Sequence, residues 1–101
     1  MPSYSVLTNI NQYGLWTNLS ASGQIHTGEG ELQGVIINSH SSGTLKIWDS
    51  LTASGTVMFN TMTFSAVATT GERFIPFFGA RFLKGAYATI GGTADLTFIW
   101  N

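Results

Sequence analysis

Apolar and polar residues alternate in short runs along this chain, and small polar clusters containing glycine cut the runs at a spacing of eight to twelve residues. The cuts read SASG (20–23), TGEGE (27–31), SHSSG (39–43), SLTASG (50–55), ATTGE (68–72) and GGTAD (91–95). Turn chemistry at that spacing predicts strands and not helices. Between the cuts lie β-branched and aromatic residues, which suit a pleated, half-buried surface. Strands are expected near 15–19, 23–27, 32–39, 44–49, 56–63, 73–78, 82–89 and 95–100. About eight short strands without a helix predict one all-β domain over residues 1–101, an antiparallel β-sandwich or jelly roll. Residues 1–14 have weak periodicity and are expected to form an extended N-terminal arm that reaches to a neighbour.

Alternation assigns faces, because successive strand residues point to opposite sides. In GTLKIWDS, Leu45 and Ile47 point one way, toward a core, and Lys46 and Trp48 the other. In TVMFNTMTF, Val57 and Phe59 share one face while Met58, Met62 and Phe64 lie on the opposite one beside Asn60, so both faces read as apolar. The last run repeats this, with Leu96, Phe98 and Trp100 on one side and Thr97, Ile99 and Asn101 on the other. A small sandwich buries one face of each sheet, so the apolar surplus asks for a second burial surface. So apolar a final run is expected to be tied into a sheet or pressed against something else. The expected arrangement pairs it with FLKGAYATI through the GGTAD turn, buries Leu96 and Phe98, and leaves Ile99 or Trp100 for a subunit contact.

The segment GERFIPFFGARFLKGAYATI (71–90) is the most aromatic, with Phe74, Phe77, Phe78 and Phe82 set around Pro76 and Gly79 and between Arg73 and Arg81. Pro76 cannot donate to a ladder, which predicts an edge strand or an interruption there. One or two of these phenylalanines are expected at the surface, where Phe beside Arg is typical of interface cores. Three of the four filling the core is the competing reading.

Composition sharpens the picture. Five acidic and four basic residues in 101 leave the chain only 9% charged, against roughly a quarter in ordinary domains. Isolated soluble chains usually interleave many charges over their surface. Ser, Thr, Asn and Gly, which dominate here, can lie under a partner without the desolvation cost of buried charge. A net charge of −1 without a Lys/Arg cluster speaks against nucleic acid as a partner. MPSYSVLTNINQ has no basic segment followed by an apolar run, and no stretch approaches the roughly 18 apolar residues of a membrane span, so neither export nor membrane insertion is expected. There is no cysteine, hence no disulfide or thiolate metal site.

Candidate chemistry is sparse. His26 and His40 both fall in polar, turn-rich stretches, where a solvated imidazole is the common case, and nothing favours a catalytic triad. His26 with Glu29 and Glu31 offers one histidine where a cupin-like metal site needs two, so neither a metal nor another cofactor is expected. Glu29 and Glu31 read as a solvated loop, and Asp49 and Asp95 as turn-flanking acids, rather than as a carboxylate pair for sugar hydrolysis. Trp16, Trp48 and Trp100 are candidate sugar platforms, set against the ordinary use of Trp in cores and at interfaces.

The residues GVIINSHSSGTLKIWDSLTASGTVMFNTMTF (34–64) and LKGAYATIGGTADLTFIWN (83–101) resemble a loose family of small tailed-phage virion proteins. The likeness rests on a strand ending in Asn before a Ser/Gly turn, the strand TLKIWDS, and a KGxYA segment before a Gly-rich turn and a final apolar strand. It implies a β-sandwich protein of capsids, tails or fibres with no enzymatic activity. Together with the low charge, this leads to an expected capsid decoration (cement) protein, made in the host cytoplasm and seated on the capsid exterior as a homotrimer that bridges subunits of the major capsid protein. The residues expected at its subunit or capsid interface are Trp48, Phe77, Phe78, Arg81, Ile99 and Trp100. The alternative is a carbohydrate-binding module of a fibre or tail tip, presenting Trp16 or Trp48 with loop acids.

Overall fold

A computed structural model describes residues 15–64 and 74–101; the expected arm at 1–14 and the turn at 68–72 lie outside these residues. The described chain is all β, with no helix. Its strands are β1 (Leu15–Leu19), β2 (Gly23–Thr27), β3 (Gly30–Asp49), β4 (Thr56–Thr63), β5 (Phe74–Phe82) and β6 (Gly85–Trp100). They form one antiparallel sheet of six strands.

Six strands replace the expected eight because two of the presumed turns are not turns. SHSSG lies inside β3, and GGTAD inside β6. The two strands run antiparallel to each other from Leu32↔Trp100 to Asp49↔Ala86, and the ladder continues through both Gly-containing segments. Register shifts between Ile37 and Ser39 and between Ser41 and Thr44 absorb the extra residues, so the segments act as bulges. Ser42 (φ 55°) and Gly92 (φ 66°) take left-handed conformations at this point. A Cβ at Gly92 would run into the Ser42 carbonyl, so only glycine fits there. The last run therefore pairs with β3 and β1, and not with the residues immediately before it.

Each long strand has different neighbours at its two ends. The first part of β3 pairs with β5 and the last part of β6 with β1, giving the order β1-β6-β3-β5. The last part of β3 pairs with β4 and the first part of β6 with β2, giving β2-β6-β3-β4. Both halves feed one hydrophobic cluster. Leu32, Val35, Ile37, Leu96, Phe98 and Phe82 enter it from the first half, and Ile25, Leu45, Ile47, Ala86 and Ala88 from the second. Side chains also meet from half to half, as where Phe59 of β4 stands edge-on to Phe77 of β5 at 5.0 Å between ring centroids.

Burial follows the expected alternation for Leu45, Ile47, Leu96 and Phe98, each at 0% exposure. On β4 it does not. Shifts of register opposite Leu45, Ile47 and Trp48 pair Met62 with Leu45 and Phe59 with Ile47. Met58, Phe59 and Met62 all pack against the core despite the odd spacing of the last two, and β4 has less apolar surplus than strict alternation suggests.

Asp49 joins the ends of the ladder to the β5–β6 connection. Its Oδ1 accepts hydrogen bonds from the Leu83 and Lys84 backbone N–H at 3.0 and 2.8 Å, and its Oδ2 a second contact from Leu83 at 3.0 Å. Partial burial pushes the Asp49 carboxyl up, but the N–H groups of Lys84, Leu83 and Gly85, with the Lys84 charge, outweigh it and hold the pKa below the usual value. A depressed folded-state pKa means stabilisation that is present above the unfolded value of about 3.9 and is lost as pH falls through the folded one. Asp49→Asn should cost about 1 kcal/mol at neutral pH. In urea titrations across pH, the gap between variant and native chain should close as the pH drops below that of an ordinary aspartate.

Candidate functional site

The outward face of the β1-β6-β3-β5 half is set by the register. Because Val35, Ile37, Leu96 and Phe98 point inward, the residues between them point out. Trp16 sits opposite Ile99, and Asn18 opposite Thr97. Gly34 is the other neighbour of Ile99, and Ile36 of Thr97; beyond them on β5 lie Pro76 and Phe74. Trp16, Ile36, Thr97 and Ile99 line an open groove of about 350 Å³. Trp16 is 65% exposed and Phe74 46%. A Cβ at Gly34 would collide with the Phe74 ring, so the missing side chain makes room for that ring over the strand. The result is an apolar strip from β1 to β5.

One margin of the strip is polar. Asn18 Nδ2 donates to Asp95 Oδ1 at 2.6 Å, and Asn38 Nδ2 donates to the same atom at 3.1 Å and to Thr97 Oγ1 at 3.0 Å. These bonds, Asn18 first and then Asn38, hold the Asp95 carboxyl below its usual pKa. Asp95 of β6, Glu31 of β3 and its pairing partner Arg81 on β5 are the charged side chains among the outward positions of these four strands that the register defines.

Phe78 is a second exposed feature. Leu32 pairs with Ala80 and Gly34 with Pro76, so Phe77, Phe78 and Gly79 stand opposite Gln33 alone. This bulge drives Phe77 inward against the core and Phe78 outward to 87% exposure, at φ 57°. A bulky side chain in the left-handed region is a true outlier, costing of order 1–3 kcal/mol.

The other expected interface residues are placed differently from one another. Ile99 lies in the groove floor. Trp100, on the opposite face of the same strand, is half-buried against the core; its ring stacks on His26 at 3.9 Å and its Nε1–H donates to Thr17 Oγ1 at 3.0 Å. Trp48 lies on the other half of the sheet. It is half-buried, donates from Nε1 to Thr89 Oγ1 at 3.0 Å and carries Lys46 Nζ 4.3 Å above its ring. Arg81 is exposed and pairs with Glu29 at 2.8 Å in a polar cleft that also holds Glu31 and Asn101. The six residues therefore form no single patch. Of the four phenylalanines, Phe74 and Phe78 are exposed, Phe77 is half-buried and Phe82 is buried. Ile36 was legible only through the run VII at 35–37, in which an apolar residue occupies the outward position between two inward ones.

His26 stacks on Trp100, while His40 Nδ1 accepts from Gly43 N–H at 3.3 Å and its ring meets Phe64 edge-on. Among the described residues, no group of three or more His, Cys, Asp or Glu could hold a metal ion. What the face can do chemically is bury apolar surface against another surface. Comparison with protein families, with curated proteins and with solved structures finds no match to the chain.

The two faces of the β1–β6 pair should respond differently to truncation. Trp100→Ala should lower the stability of the isolated chain by about 2 kcal/mol, short of the cost at a fully buried site. Trp16→Ala should stay within about 0.5 kcal/mol of the native chain. Urea unfolding followed by far-ultraviolet circular dichroism measures both.

Proposed function

We propose that this chain is a virion structural protein, a capsid decoration (cement) protein that sits on the capsid exterior as a homotrimer and bridges subunits of the major capsid protein. The observation that carries the reading is the strip formed by Trp16, Ile36, Phe74 and Ile99, an apolar face that the chain's own core does not need. Contiguous exposed apolar surface rimmed by polar residues is a mark of interaction sites. A chain with so few charges can lay such a face against a neighbouring subunit of the assembly without stranding ions. Burial contributes roughly 25 cal/mol per Å² before the entropy of association is subtracted, and many equivalent copies multiply a modest contact. No catalytic step is part of this role.

The architecture is consistent with it. If β3 and β6 are each divided at their bulges, the chain reads as eight strands in two four-stranded orders, 1-8-3-6 and 2-7-4-5, with one core between them. That order supports a jelly roll, an architecture that capsid proteins share with lectins and cupins. The fold alone does not select among these uses; the apolar strip and the low charge of the chain support the first.

A second reading is favoured by one feature of the same half. Trp16 presents its ring beside Asn18, Asn38 and Asp95, a platform with hydrogen-bonding groups suited to a sugar, and it fits a carbohydrate-binding module better than the hydrogen-bonded Trp48 does. Glycan-array binding that Trp16→Ala abolishes, without affinity for shells, would select it.

Co-sedimentation with empty capsid shells tests the first reading. The chain should load at fixed stoichiometry, with little loss of binding as salt is raised, because an apolar contact is not screened. A chain that stays in the supernatant at every shell concentration contradicts it.

A further inference from the structure

The Phe78 bulge is unexplained by the chain's own stability. Phe78 takes a left-handed conformation that glycine would adopt without strain, and its ring returns little to this chain, being 87% exposed. Its neighbours have local roles, since Phe77 packs on the core and Gly79 continues the bulge at φ 77°. A strained, solvated aromatic projecting from an edge strand is suited to insertion into something else.

A receptor of matching chemistry exists on the same chain. The groove formed by Trp16, Ile36, Thr97 and Ile99 has apolar walls, is open to solvent and has a volume of about 350 Å³. Phe78 does not line the groove of its own chain. It stands four residues along β5 from Phe74, the pairing partner of Ile36, and β5 lies three strand positions from β1, roughly 14 Å away. The projection is on one edge of the β1-β6-β3-β5 half, and the groove runs to the opposite edge.

We propose that the occupant of the groove is Phe78 of a second copy of this chain, so that copies join head to tail, the β5 edge of one against the β1 side of the next. The proposal rests on the self-assembly reading above and deepens it by naming the contact. Such an interface is heterologous, because two different patches meet, and it closes into a ring when the rotation between copies permits. A ring of three satisfies every projection and every groove.

Heterologous contacts have a signature that self-complementary ones lack. Phe78→Gly removes the projection and relieves the strain, while Trp16→Ala removes a groove wall; neither touches the core. By sedimentation velocity, the native chain should be a closed oligomer and each variant a monomer, with the Phe78→Gly monomer at least as resistant to urea as the native chain. Mixing the two variants should restore one intact contact per pair, Phe78 of the Trp16→Ala chain in the groove of the Phe78→Gly chain. The mixture should therefore give a species of two chains and no larger one.

A native chain that is monomeric at all concentrations overturns the proposal, as does a Phe78→Gly chain of native oligomeric mass or a mixture that stays monomeric. Shell binding separates this outcome from the functional reading. A monomer that loads onto shells defeats the head-to-tail contact and leaves the cement role standing. A closed oligomer that shows the mixing signature but ignores shells supports the contact and defeats the cement role.

Discussion

The pairing of β3 with β6 is the constraint on which the rest of the molecule depends. The ladder runs from Leu32↔Trp100 to Asp49↔Ala86, and the other four strands attach to one or other end of it. Because the two strands bulge at corresponding places, one hydrogen-bonded unit serves two groups of neighbours. Their inward side chains meet in one cluster, in which Leu32, Val35, Leu45, Ile47, Leu96 and Phe98 are fully buried. Antiparallel pairing this long ties residues far apart in sequence, and alternation along each strand then assigns every position to the core or to the outside.

That assignment accounts for the contrast between the two faces of β6. Leu96 and Phe98 disappear into the core and Trp100 caps it through His26 and Thr17, whereas Thr97 and Ile99, one residue out of phase, join Trp16 and Ile36 on the outer face. The second half of the sheet differs in kind. Its Trp48 is engaged by Thr89 and Lys46, so its polar atom is satisfied within the chain and a charge sits over its ring. The apolar strip is thus confined to one side of the molecule, with the Asn18–Asp95–Asn38 cluster at its margin and the Phe78 bulge on the strand at its far edge. An interaction surface on one side, with an almost uncharged chain behind it, is the physical content of the proposed assembly role.

Much of the fold was legible in the residues. The limits of β1, β2 and β4 coincide with the runs read from turn chemistry, and the burial of Leu45, Ile47, Leu96 and Phe98 follows from alternation alone. SHSSG and GGTAD misled because small polar residues and glycine serve a bulge in a long ladder as well as they serve a reverse turn; only the partner strand distinguishes the two. The β4 faces were misread for the same reason, since each bulge advances the alternation by one residue. In the candidate site, Ile99 and Phe78 were visible as surplus apolar residues, while the groove was not. It depends on β1, β6 and β3 lying side by side, which no local pattern records.

The most direct measurement of the central claim is hydroxyl-radical footprinting of the chain, free and in assembled particles, read at individual tryptophans by mass spectrometry. Trp16 should be heavily oxidised in the chain diluted to its monomer and protected in the particle, with Phe78 protected alongside it, while Trp48 changes little. If Trp16 is oxidised equally in both states, the outer face of the β1-β6-β3-β5 half is not an assembly surface and the account fails.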